Sequence, residues 1–342
     1  MTISRQFRAG LAGLAFTLGL HLPAAAQVER VQSAPAYQAI PPAIKARALA
    51  IDPKLGYRVT QIKPNVYVIT DGAYQSVFIT TGEGVILLDA PPSFSAKIVE
   101  AVAEVTKEPI KQLVYSHSHL DHIAGAPEVI KHVPGLRILA EQGNADFLRE
   151  KKDPRRPLPT QTFKESTTLK LGTATIELKK GHWHSNEGDL YIHIPAKRVL
   201  MAIDTLPPGY APFWNFDLTT NFHAYMGMFD QLLAYDFDVL VAGHLDFVAD
   251  RDDVRAARDY TVDVYKTVKR IHDGTDQMAV VSKAAADHGW DNKMALFRTL
   301  LDGVAKQYAK EIQGRWSGRL GSVDVFARSH CDTALIYARW ED

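Results

Sequence analysis

Seven residues, Ser116-His-Ser-His-Leu-Asp-His122, constrain this chain more than any other stretch. They carry three imidazoles and a carboxylate. They directly follow Ile110-Lys-Gln-Leu-Val-Tyr115, a run of apolar and β-branched residues that reads as a strand. The cluster therefore falls where a strand gives way to a turn and a helix, at the end of an element of an α/β scaffold. Neutral imidazoles with a carboxylate suit zinc and other borderline first-row metals.

The polar residues of interest recur in the same kind of place. His184, Asp204 and His244 each follow an apolar β-like run, as His117, His119, Asp121 and His122 do. Their side chains should meet at one rim of the sheets. Two adjacent sites then follow, one from His117, His119 and His184 and the other from Asp121, His122 and His244, with Asp204 placed to bridge them. His182 lies two residues before His184 and points the same way in an extended segment, so it competes as the third histidine.

Around these residues the pattern is strand-rich up to residue 115 and mixed beyond it. Ile62–Thr70, Gln75–Thr81 and Gly84–Asp89 read as an antiparallel meander, and 94–107 as a helix. Strands follow at 136–140, at 167–179 in two pieces joined at Gly172, at 189–194, at 197–203 and at 238–242. Helical patterns fall at 125–132, 145–152 and 221–235. From residue 252 three helices are expected, at 252–272, 276–288 and 292–312. Val323–Phe326 and Leu335–Tyr337 read as returning strands. This order argues for a layered α/β sandwich with helices outside.

Ser116–His122 resembles the signature of the metallo-β-lactamase superfamily, and the later positions agree with it. Gly181–Asp189 is similar to the segment that supplies the third histidine, Val199–Asp204 to the one that supplies a bridging aspartate, and Gly243-His244 to the last ligand. Asp89, after Gly84-Val-Ile-Leu-Leu88, resembles an aspartate that braces the metal loop. The resemblance covers roughly residues 57–250. It implies an αββα sandwich of two mixed β-sheets flanked by helices, with extra C-terminal helices. It also implies a dinuclear centre, two Zn2+ with iron or manganese as substitutes, and a metal-bridging hydroxide that attacks a carbonyl carbon, with Asp121 orienting that nucleophile.

The substrates so implied are small apolar or aromatic lactones, esters or related carbonyl compounds. The presence of Asp204 is closer to the lactonase and thioesterase branches than to dedicated lactamases. β-Lactam hydrolysis and iron-dependent sulfur dioxygenation are the alternatives on the same fold. Pro207–Phe216 follows the bridging aspartate directly, and Tyr210, Phe213, Trp214 and Phe216 are expected as an aromatic wall beside the cleft. No cluster of arginine or lysine follows the metal motifs as a phosphate clamp; Lys179 and Lys180 are the nearest candidates, and a solvated strand end explains them equally well.

Lysine plus arginine and aspartate plus glutamate number 39 each, so no basic excess points to a nucleic-acid partner. Arg5 and Arg8, the short apolar run 11–22 and Ala24-Ala25-Ala26 read as a signal peptide over residues 1–26, with a periplasmic or secreted mature chain and no stable membrane insertion. Residues 27–56 form an N-terminal extension, 57–250 the core and 251–342 a C-terminal helical region. Those helices could also support a homodimer. Cys331 is the single cysteine, which rules out an intramolecular disulfide.

Overall fold

The computed structural model describes residues 36–341. The expected signal peptide lies outside the described residues. Within them the chain runs α1 (Pro42–Lys45), β1 (Arg58–Lys63), β2 (Val66–Thr70), β3 (Gln75–Thr80), β4 (Val85–Leu88), α2 (Ser95–Val105), β5 (Ile110–Val114), α3 (Leu120–Ile123), α4 (Ala126–His132), β6 (Arg137–Glu141), α5 (Gln142–Lys151), β7 (Gln161–Phe163), β8 (Ser166–Leu171), β9 (Ala174–Gly181), β10 (Asp189–Ile194), β11 (Val199–Met201), α6 (Trp214–Leu218), α7 (Phe222–Ala234), β12 (Val239–Val241), α8 (Arg251–Asp273), α9 (Gln277–His288), α10 (Lys293–Trp316) and α11 (Ala327–Trp340).

Two mixed sheets result, one with strands in the order β1-β2-β3-β4-β5-β6-β7 and the other in the order β12-β11-β10-β9-β8. Alternation along the strands builds the layers. Val77 and Ile79 of β3, with Ile86 and Leu88 of β4, point inward, where they meet Ile176, Leu178, Leu190, Ile192 and Met201 of the second sheet. Phe78, Val85 and Leu87 point the other way, onto Ile98, Ala101 and Val102 of α2 and Val129 of α4. Tyr191, between Leu190 and Ile192, turns out beneath α7 and the C-terminal helices. Helix, sheet, sheet and helix are thus stacked as the αββα expectation requires.

Helix α8 shows why the C-terminal region packs as it does. Val254, Ala257, Tyr260, Thr261, Val264, Val268 and Ile271 recur at helical spacing and are all buried. Asp250 and Asp253 form a reciprocal capping box at its start. Together with Val304, Tyr308 and Ile312 of α10 and Ala334 and Leu335 of α11, this face covers the outer side of the second sheet. The N-terminal extension is tied to the same helix, because Arg47 makes a bidentate pair with Asp253 at 2.7 Å on both arms. Among the described residues no helix is long and apolar enough to cross a membrane.

Three sequence expectations need correction. The returning C-terminal strands are absent. Residues 322–325 form turns, and 327–340 form α11, whose buried side chains Ala327, His330, Cys331, Ala334, Leu335 and Ala338 follow a helical repeat. The run 62–70 is broken by a turn at Pro64-Asn65, where proline supplies no N–H and Asn65 takes a φ of 67°. Strand β7 went unread because its three residues are largely exposed and carry no alternating apolar signal.

Candidate metal centre

Strand direction brings the ligands together. β4 pairs parallel with β5, and β11 parallel with β12. β9 and β11 both pair antiparallel with β10, so they also run the same way. Loops that leave the carboxyl ends of these strands open on a shared edge, as ligand-binding loops do in other α/β sheets. Asp89 follows β4, the histidine cluster follows β5, His184 follows β9, Asp204 follows β11 and His244 follows β12.

Two groups of donor atoms form there. His117, His119, His184 and Asp204 make one, and Asp121, His122 and His244 the other, the donors of each lying within 4.8 Å of one another. The Asp204 carboxylate reaches both. Its Oδ2 lies 3.3 Å from His117 Nε2 and 3.3 Å from His184 Nε2. Its Oδ1 lies 3.2 Å from His122 Nε2 and 2.9 Å from His244 Nε2. All seven residues proposed from the sequence are therefore brought together. The competition for the third histidine is decided by burial. His184 is buried in the cluster, while His182 is exposed on the far side of buried Trp183.

Several of these atoms lack a hydrogen-bond partner. His117 Nε2, His122 Nε2 and Asp204 Oδ1 are fully buried and have no aligned hydrogen-bond partner. His184 Nε2 and His119 Nδ1 face each other at 2.8 Å. A tetrahedral ion with bonds of about 2.1 Å has ligand–ligand edges of roughly 3.4 Å, close to the separations around Asp204. The cluster can hold a metal, and its nitrogen and oxygen donors fit zinc, iron or manganese.

Burial and the Asp204 charge act differently on the two groups of histidines. Burial pushes His117 well below the ordinary histidine range, lowers His119 and brings His184 down to about 4, so all three keep a free lone pair. Burial also works against a charge on His122 and His244, but the Asp204 carboxylate outweighs it and raises both, His122 to about 9. Burial acts to raise Asp204, and the imidazoles, His122 and His184 foremost, hold it well below the usual carboxylate range.

The backbone is bent to achieve this. Asp89, Asp204 and Leu245 sit at φ of 61°, 56° and 70°, left-handed conformations that cost a non-glycine residue about 1–2 kcal/mol. Gly243 has a φ of 96°, and a Cβ there would stand 2.8 Å from Ile203 and 3.1 Å from the His122 ring. Only glycine admits His244 to this position.

Several supporting residues went unread in the sequence. Asp189 accepts from the backbone N–H groups of Trp183 and His184 at 2.9 Å each and from Ser185 at 3.2 Å, which shapes the His184 loop. Gln75 grips the His244 loop from both sides. Its Nε2 donates to the carbonyls of Leu245 and Phe247, its Oε1 accepts from Gly243 N–H, and its own N–H donates to the Gly243 carbonyl. The available signal was a glutamine opening an otherwise apolar strand. Arg156 donates to the Ser118 carbonyl at 2.7 Å, between two ligands. Asp89 accepts from Ser116 N–H at 2.8 Å, which braces the loop as expected.

A cleft of about 520 Å³ opens above the ligands, lined by Tyr74, Leu206, Pro207, Tyr210, Phe213 and Phe326 beside His119, Asp121, His184 and His244. Two members of the expected aromatic wall are elsewhere. Trp214 is half exposed and faces a separate surface depression. Phe216 is buried against Phe222, Tyr225 and His330. The cause is α6, in which Asn215, Phe216, Asp217 and Leu218 all take left-handed φ of 52° to 62° and so reverse the side-chain order. Asp217 holds this turn, accepting from Phe213 N–H and from the Tyr225 hydroxyl. Neither Lys179 nor Lys180 lines the cleft. Lys180 pairs with buried Glu141 at 2.9 Å, and Lys179 lines a groove on the second sheet.

The sequence model of the metallo-beta-lactamase superfamily matches residues 69–244, the stretch that holds all seven candidate ligands, and the chain belongs to this superfamily. The 2,4-dinitroanisole O-demethylase subunit alpha of Nocardioides sp. (strain JS1661) is 26% identical over 188 residues. That match covers 54% of this chain, which spans only about half, 56%, of the relative. Among solved structures, a metallo-beta-lactamase from Pontibacter korlensis aligns with a TM-score of 0.51 at 18% identity, over 59% of this chain and 97% of the other. The inverting sec-alkylsulfatase Pisa1 from Pseudomonas sp. aligns with a TM-score of 0.52 at 16% identity, over 66% and 45%. Both likenesses concern the fold.

Proposed function

We propose that the protein is a dinuclear, zinc-dependent hydrolase of small uncharged esters or lactones with an apolar or aromatic portion. The observation that carries this reading is the Asp204 carboxylate, which offers one oxygen to each of two histidine groups. Two divalent ions bound there would lower the pKa of water and polarise a substrate oxygen.

The chain's own residues do the rest. Asp121, half buried at the mouth of the second group, is placed to receive the proton of the attacking water and to return it to the leaving oxygen. The overall change balances as hydrolysis. Water oxygen joins the carbonyl carbon, the carbon–oxygen bond of the ester breaks, and the alcohol leaves with a proton. Tyr74 lies against the rings of His244 and His122 at 5.0 and 5.9 Å, and limits the space beside them.

The O-demethylase relative favours a second reading, cleavage of an electron-poor aryl methyl ether. Addition of water across the aryl–oxygen bond gives a phenol and methanol with no oxidant, so the same machinery serves.

The first experiment is metal analysis of the protein, followed by assays on aryl ester, lactone, β-lactam and aryl methyl ether substrates with and without chelator. Two zinc ions and chelator-sensitive ester or lactone turnover is the expected result. Methanol from the ether would select the second reading. Formaldehyde with consumption of oxygen, or an iron-loaded protein inert to all four substrates, would overturn hydrolysis.

A further inference from the structure

We infer that the C-terminal region, which lies beyond the superfamily match, supplies the specificity-determining wall of the cleft, with Phe326 and Phe213 acting together as the gauge for an aromatic substrate group. This rests on the hydrolase reading for its reaction but not for its binding test. The two rings meet edge to face, centroids 4.9 Å apart and planes at 68°, and both line the cleft. Such a pair offers a third ring an edge or a face without rearrangement. Among the described residues no lysine or arginine lines this cleft, so the wall offers no cation to an anionic group.

The junction is built for this contact. Ala211 N–H donates to the Gly321 carbonyl and Gly321 N–H to the Gly209 carbonyl, so the two segments pair like short strands. A Cβ at Gly321 would come within 2.6 Å of the Tyr210 ring, so this close approach needs glycine. Buried His330 fastens the next residues. Its Nδ1 lies 2.9 Å from the Tyr260 hydroxyl and its Nε2 3.0 Å from the Pro212 carbonyl. The carbonyl can only accept, so Nε2 carries the proton and Nδ1 accepts from Tyr260. Ser329 Oγ accepts from Asn215 N–H at 3.1 Å. Phe213 is thus held between a backbone ladder and a histidine clamp, at 50% exposure.

The test compares the zinc-loaded parent protein with Phe326→Ala. Two quantities are measured, the ratio of kcat/KM for phenyl acetate over methyl acetate, and the dissociation constant of phenol by titration calorimetry. The expected result is a fall of about tenfold in the ratio and a comparable weakening of phenol binding, with metal content unchanged. Trp214→Ala, adjacent but outside the cleft, should change neither. If Phe326→Ala does not fold, Phe326→Leu keeps the bulk, removes the ring and should shift the same two quantities. An unchanged ratio and an unchanged phenol affinity in a folded variant would overturn the inference and leave the hydrolase reading intact. If the parent hydrolyses neither ester but phenol binding still weakens in the variant, the wall stands and the hydrolase reading falls.

Discussion

Segments 116–122 and 206–218 both leave the carboxyl end of a buried strand, and both border the same cleft, yet they are held by different means. In the first, a one-turn helix places Asp121 and His122 beside His117 and His119. The supports come from within the superfamily core, with Asp89 on Ser116 and Arg156 on Ser118. In the second, four residues run left-handed, and the fasteners are Gly321, Ser329 and His330 from the C-terminal region. The floor of the cleft, segment 116–122, is supported from 27 and 38 positions away, and the wall by contacts more than a hundred residues away. Chemistry and specificity are thereby separable. The wall can be altered without touching a ligand.

The largest expected effect breaks the floor alone. His119→Ala should lose bound metal and turnover together while the melting of the chelated protein stays close to that of the parent. Metal analysis and an ester assay check this. Asp204→Ala should retain fewer bound ions than the parent, because one carboxylate then no longer serves both groups. Full metal content and full rate in either variant would show that these residues do not form the site.

A second prediction addresses the wall through pH. Burial lowers His330 to about 4 in the folded state, against about 6.5 in the unfolded chain. Between those values the unfolded state binds the extra proton. The stability contributed by neutral His330 is therefore present above pH 6.5 and is lost as pH falls toward 4, about 3 kcal/mol in all. Denaturant unfolding of the chelated protein at pH 7 and pH 4.5 should show a smaller difference between the two conditions in His330→Gln than in the parent. Equal differences would mean that the clamp does not hold a neutral imidazole.

Smaller effects sharpen the contrast. Gln75→Leu removes the side-chain grip on the His244 loop without removing a ligand, and should weaken metal binding by about 10–100-fold, as read by chelator competition. Trp214→Ser, at a half-exposed position outside the cleft, should stay within about 0.5 kcal/mol of parental stability. A larger loss on thermal unfolding would indicate that the left-handed turn depends on this ring.

Much of the centre was legible because its signals are local. The β-rich runs of β3 and β4 and the alternation of β10 pointed to a layered fold, and apolar runs ending in histidine or aspartate pointed to the strand ends that carry the candidate ligands. The helical repeats of α8, α9 and α10 were equally plain. The rest depended on partners distant in sequence. His184 is preferred to His182 on sequence, and the fold supplies the physical reason. The choice follows from Trp183, whose indole N–H bonds to the Ile203 carbonyl and turns one neighbour inward and the other out. Phe216 and Trp214 looked like cleft residues because a loop read as extended carries no sign of left-handed backbone. Leu335–Tyr337 looked like a strand because three apolar residues fit either periodicity, and only burial against α8 and α10 selects the helix. Residue type and spacing by themselves pointed to the candidate ligands and to a layered α/β fold, since both rest on short-range chemistry and local periodicity; the αββα order came with the family resemblance. Which aromatic rings line the cleft was decided by tertiary structure alone, because it depends on a backbone reversal packed against the C-terminal helices.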